Sequence, residues 1–109
     1  MPDGPDHVGK IRKYVVGFYR PGPQRPNIPE ADRPQLLSEH LEFLRRLRAA
    51  GELIVYGPLE DTEMAGLVVF ATDSLDHARA VMAREPKLVR GDLVLDLREW
   101  YAAPGLGIR

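Results

Sequence analysis

Reading from the amino end, the first dense run of apolar positions is Lys13-Tyr14-Val15-Val16-Gly17-Phe18-Tyr19, closed by Arg20-Pro21-Gly22-Pro23. Its β-branched and aromatic content predicts a strand. Residues 1–12 before it carry turn formers and charges without periodicity, and read as a flexible extension. After it come prolines at 21, 23, 26, 29 and 34. Proline lacks an amide proton and holds its predecessor extended, so residues 20–34 read as a stiff loop and not as an element. A loop of this length is uncommon in a small domain, and such loops are often either lids or disordered.

The pattern then changes period. At about 100° per residue, Leu36, His40, Phe43, Leu44 and Leu47 share one face, flanked by Leu37 and Leu41, while Glu39, Glu42, Arg45 and Arg46 take the other. This predicts a first helix with Pro34 in its first turn, Asp32 as a candidate cap and Gly51 just past its end. The polar face shows where the helix meets water, and it puts His40 inside the apolar stripe.

Leu53-Ile54-Val55-Tyr56 predicts a second strand, ended by Gly57-Pro58. Gly66-Leu67-Val68-Val69-Phe70-Ala71 is apolar throughout, as expected for a central strand covered on both faces. Asp73 or Ser74 then caps a second helix with Leu75, Ala78, Val81 and Met82 inward, expected to stop near Glu85 because Pro86 follows. Leu93-Val94-Leu95-Asp96-Leu97 predicts a fourth strand, running on to Trp100-Tyr101. Gly51-Glu52-Leu53 and Gly91-Asp92-Leu93 echo one another, each after a helix. Two related β-α-β halves give an α+β, ferredoxin-like βαββαβ domain: a four-stranded antiparallel sheet with both helices on one face, over residues 13–101, with a tail at 102–109. The sheet's second face would stay aliphatic and exposed, and such a face is most simply covered in a homodimer.

Composition narrows the function classes. The 109 residues make one domain, with 44% hydrophobic and 28% charged side chains and a net charge of −1. Arg45, Arg46 and Arg48 are interleaved with Glu39, Glu42 and Glu52, which suits a solvated face and not a nucleic-acid surface. No apolar run approaches the roughly 20 residues of a membrane span. The N-terminus carries no signal-peptide pattern, and the absence of cysteine fits a cytoplasmic protein. It also removes thiolate catalysis and Cys-ligated zinc; no pair of histidines has the spacing of a helical zinc site, and no Gly-rich phosphate loop occurs, so neither metal nor cofactor is expected.

What remains is one candidate for acid–base chemistry. An imidazole suits proton transfer in a pocket, which makes His40 a candidate; the alternative is a packed core side chain. His7 and His77 read as solvated. Glu85, held against Pro86, is a carboxylate that could orient His40, or simply an exposed group at a helix stop. Gly57-Pro58 is either a simple strand terminator or part of a pocket in which glycine allows a ligand close to the backbone. Tyr14 and Tyr56 are candidate pocket walls, along with Tyr19, Trp100 and Tyr101.

In this order the residues resemble the YciI-like, or YCII-related, family. The resemblance rests on His40 within Glu39-His40-Leu41-Glu42-Phe43-Leu44, on Ala50-Gly51-Glu52-Leu53 leading to Tyr56-Gly57-Pro58, and on Gly66-Leu67-Val68-Val69-Phe70. It continues through Ser74-Leu75-Asp76-His77-Ala78 to Glu85-Pro86 and Gly91-Asp92-Leu93, and spans about Tyr14 to Trp100. It implies a dimeric α+β barrel whose site pairs a His of the first helix with an Asp just before a Pro. His40 matches the first; Glu85, one methylene longer, stands at the second. The proline-rich loop also looks longer than the family's. Some members are linked to HCl elimination from chlorinated aromatics, and relatives sharing the barrel include muconolactone isomerases and small monooxygenases. The expectation is a cofactor-independent lyase or isomerase working on a small molecule through His40; the alternative is a non-catalytic barrel that binds a small molecule or a protein.

Overall fold

The computed structural model describes residues 11–103. Its elements are strand β1 (Arg12–Pro21), helix α1 (Arg33–Ala49), strands β2 (Leu53–Pro58) and β3 (Gly66–Phe70), helices α2 (Leu75–Val81) and α3 (Pro86–Val89), and strand β4 (Leu93–Ala102). The strands form one antiparallel sheet in the order β2-β3-β1-β4, the order of a split β-α-β fold. The expected extension over 1–12 and tail over 102–109 lie outside the described residues, except at their inner ends. There Arg12 pairs with Ala102, so the sheet runs further than the apolar runs alone suggest. His7 also lies outside.

Strand alternation sorts the sheet into two faces. Val15, Tyr19, Leu53, Val68, Phe70 and Leu93 face the helices and pack with Leu44, Ala78 and Met82. Val15, Val68 and Phe70 are fully buried, and burial of a side chain this size contributes about 1.5–3 kcal/mol. Gly17 lies in the same row because nothing larger fits: a Cβ there would come within 2.8 Å of Leu95 Cδ1 and 3.0 Å of Val68 Cγ1. Tyr14, Val16 and Val69 form a second apolar cluster on the opposite face, flanked by Phe18, Ile54 and Leu67.

The echoed sequences fold alike. Gly51 and Gly91 have φ of 83° and 75°, a left-handed conformation that favours glycine. Each ends its helix in the same pair of turns: Gly51 and Glu52 donate to the carbonyls of Arg48 and Leu47, and Gly91 and Asp92 to those of Leu88 and Lys87.

Two local expectations are corrected. Helix α2 stops at Val81 and not near Glu85; Glu85 is extended (φ −63°, ψ 123°), as a residue before proline prefers, and opens α3 as its cap. Asp32 precedes α1 without capping it through its side chain; its carboxylate lies 3.5 Å from Arg90. Ser74, one of the two candidates, caps α2 by accepting from the His77 amide at 3.0 Å. The loop over 20–34 contains two short 3-10 turns, Arg25–Asn27 and Glu30–Asp32. It is tied to the start of β4, with Gly22 donating to Asp92 O at 2.8 Å and Gln24 to Gly91 O at 2.9 Å.

Candidate functional site

Helix α1 puts Leu36, His40 and Leu44 in one buried row, four residues apart, so the imidazole points where a leucine would otherwise pack. His40 is 8% exposed, and the side chain opposite is Glu85, which is fully buried. His40 Nδ1 hydrogen-bonds Glu85 Oε1. The other carboxylate oxygen, Oε2, accepts from the Leu88 amide at 2.9 Å, so both oxygens are engaged. A buried carboxylate with such partners avoids the cost of an unpaired charge. Glu85 owes its place to Pro86, which starts α3 at the residue after it and fixes the direction in which the carboxylate leaves the chain.

Tyr19, on β1, meets His40 edge-on with ring centroids 5.4 Å apart. Its hydroxyl is buried with no hydrogen-bond partner among the described residues. Burial, and then the negative charge of Glu85, push the phenol above its ordinary range, so Tyr19 is neutral.

His40 and Tyr19 line a cavity of about 330 Å³ between α1 and the β2–β3 end of the sheet. Leu37, Leu41 and Leu44 form its helical wall, and Tyr56, Gly57, Pro58 and Gly66 its strand wall. Leu37 and Leu41 are nearly half exposed, which marks the open side. A Cβ built on Gly57 would meet nothing within 4 Å, so packing within the chain does not require glycine there. A larger, more open groove of about 600 Å³ lies between α2, α3 and β4, but neither His40 nor Glu85 reaches it.

Of the residues singled out in the sequence, His40, Tyr56, Gly57 and Pro58 lie together on this cavity, and Glu85 supports it from behind. Tyr14 does not. It lies five positions from Tyr19, an odd offset, so strand parity turns it to the sheet's other face, where its ring centroid lies 6.2 Å from that of Trp100. The proline-rich loop contributes no residue to the wall of this cavity.

The sequence reading missed a second buried carboxylate. Asp92 is 1% exposed and is surrounded by Arg25 Nη1 at 3.2 Å, Arg33 Nη1 at 3.6 Å and Lys87 Nζ at 3.7 Å. Among the described residues no three His, Cys, Asp or Glu side chains converge as a metal would need, and no helix is long and apolar enough to cross a membrane.

Comparison with known proteins agrees with this architecture. The solved structure of 5-chloro-2-hydroxyhydroquinone dehydrochlorinase (TftG) from Burkholderia phenoliruptrix AC1100, in complex with 2,5-dihydroxybenzoquinone, is similar with a TM-score of 0.53 and 21% identity, covering 79% of this chain and 92% of that one. At that identity the likeness establishes the fold alone. The uncharacterized protein YjpA of Bacillus subtilis (strain 168) is 36% identical over 61 residues, 56% of this chain and 71% of its own length. The family model of the YCII-related domain matches residues 17–100, from β1 to β4 and including both partners of the His40–Glu85 pair. The chain therefore belongs to the YCII-related family.

Proposed function

We propose that this protein is a cofactor-independent lyase or isomerase for a small organic molecule, with His40 as general base and acid and Glu85 as the residue that orients it. The observation that carries this reading is the buried His40–Glu85 contact on the wall of a largely apolar cavity. An ionised Glu85 accepts the Nδ1 proton, which leaves the lone pair of a neutral imidazole on Nε2. That nitrogen can take a proton from a bound molecule and return it at another atom, while the carboxylate stabilises the imidazolium formed between the two steps. Loss of a proton and of a leaving group such as chloride from neighbouring carbons requires a base and no redox partner. The dehydrochlorinase named above, of similar fold, supports that class of reaction.

The test is a screen of chlorinated hydroquinones and small lactones for turnover, followed by the same assay on His40→Ala. A general base of this kind contributes about 10² to 10⁴ in rate, and the variant should lose that much. Undiminished turnover by His40→Ala would sink the assignment.

A second reading has one observation in its favour. Glu85 caps α3 while holding α1, so the pair also acts as a fastener between two helices, as it would in a binding module without turnover. Ligands that bind in the cavity and emerge unchanged across the screen would favour it. In either reading, the apolar second face of the sheet supports a homodimer with the two sheets packed together.

A further inference from the structure

We propose that Lys87, with Arg33 and Arg25 behind it, forms an anion subsite at the edge of the His40 cavity, and that the site takes a small, mainly apolar carboxylate. This rests on the reading of that cavity as a ligand site and names the chemistry of what enters it.

The first argument is charge balance. Asp92 is one carboxylate facing three cations: Arg25, Arg33 and Lys87. The nearby acids do not restore the balance. Glu30 lies 3.4 Å from Arg33 but is 93% exposed, where water screens it, and Asp32 is turned to Arg90. Glu85 is spoken for by His40 and the Leu88 amide. Among the described residues positive charge is left in excess, and Lys87, at 17% exposure, is the least hydrated of the three cations.

The second argument is the unused hydrogen-bonding capacity of Lys87. Its side chain is 17% exposed, and Nζ stands 3.7 Å from Asp92 Oδ2, beyond hydrogen-bond reach. An ammonium has three protons to donate, and Asp92 takes none of them at that distance.

The third argument is position. Lys87 lines the His40 cavity, and also a smaller one of about 200 Å³ whose wall includes Arg25, Arg33 and Asp92. Leu37 belongs to both walls, so the two spaces adjoin. The larger space is apolar through Leu37, Leu41, Leu44 and Pro58, and suits a ring-sized body. A ligand with its ring there and a carboxylate toward Lys87 would satisfy the excess charge and bring its remaining atoms to His40.

The experiment is calorimetric titration of the whole chain with benzoate and with benzamide, which share ring and shape and differ in charge. Benzoate should bind about tenfold more tightly or better, a difference of about 1.4 kcal/mol. Lys87→Met should abolish that preference; Lys87→Arg, which keeps the charge, should retain it. Should Lys87→Met fail to fold, the salt dependence of the wild-type preference decides, because an ionic contact weakens as salt is raised and a merely steric preference does not. Equal affinity for the two probes, or a preference that survives Lys87→Met, overturns the anion subsite and leaves the cavity as a ligand site. Binding of neither probe overturns both. In that case the three cations serve only to fasten the 20–34 loop, the start of α1 and α3 to Asp92.

Discussion

Replacing Tyr19 by phenylalanine removes one oxygen from the centre of the molecule and keeps the ring against His40. The hydroxyl is buried and has no partner among the described residues. Such a group forgoes its hydrogen bonds to water at a cost of about 1–3 kcal/mol. The space left by one oxygen is too small to hold a water, and the lost contacts offset part of the gain. The expected net effect is stabilisation by about 1 kcal/mol, read as a rise in melting temperature of roughly 4 °C or somewhat more for a domain of this size. Circular dichroism during thermal and urea unfolding measures it. An alkaline titration adds an independent arm. The phenol is raised in the fold, by burial first and by the charge of Glu85 second. A raised group contributes stability that is complete below its unfolded value, about 10, and is lost as the pH climbs above it. The wild type should therefore weaken above that pH more steeply than Tyr19→Phe. If Tyr19→Phe is instead less stable by about 1 kcal/mol or more, the hydroxyl has a partner and the reasoning fails. Superposable alkaline limbs would refute the burial argument separately.

Three further outcomes are expected. Gly57→Ala should leave stability unchanged or raise it by about 0.4–1 kcal/mol, because a Cβ there meets no atom, yet it should weaken ligand binding in the cavity; unfolding curves and titration, read side by side, check this, and lowered stability would show that glycine is there for the fold. Glu85→Ala should destabilise by about 3–5 kcal/mol through loss of the buried pair and the α3 cap, whereas Glu85→Asp should lose less in urea unfolding; equal losses would mean that a carboxylate one methylene short holds neither partner. Wild-type chain should sediment as a dimer at micromolar concentration, and Val16→Lys, which puts a charge in the apolar second face, should sediment as a monomer; a monomeric wild type removes the dimer proposal.

The four strands and the first helix were legible because each is written in a repeating period that one residue cannot disturb. The same holds for the doubled Gly-acidic-Leu turn, whose glycines both adopt the left-handed conformation. His40 stood out because a titratable group in an apolar stripe breaks the period. Glu85 was singled out for its chemistry, but its structural place was misread: before a proline, the same two residues can end one helix or begin the next, and only the short α3 beyond decided. Tyr14 was placed in the cavity because strand composition does not say which face a residue occupies; its parity relative to Tyr19 does, once one of the two is fixed. Asp92 escaped notice because an acidic residue after a glycine ordinarily faces water. Its three cations come from the proline-rich loop, α1 and α3, and no local pattern announces a convergence of segments so far apart in sequence.

Helix α3 is four residues long, too short to persist in water by itself. Its shape is on loan from Glu85 at one end and the Gly91 turn at the other, and Lys87 rides on it between them. Assembly of the site and winding of this one turn are thus a single equilibrium. The amide proton of Leu88, held by the carboxylate that holds His40, serves as a built-in reporter: its exchange with solvent measures how often the protein dismantles its own site.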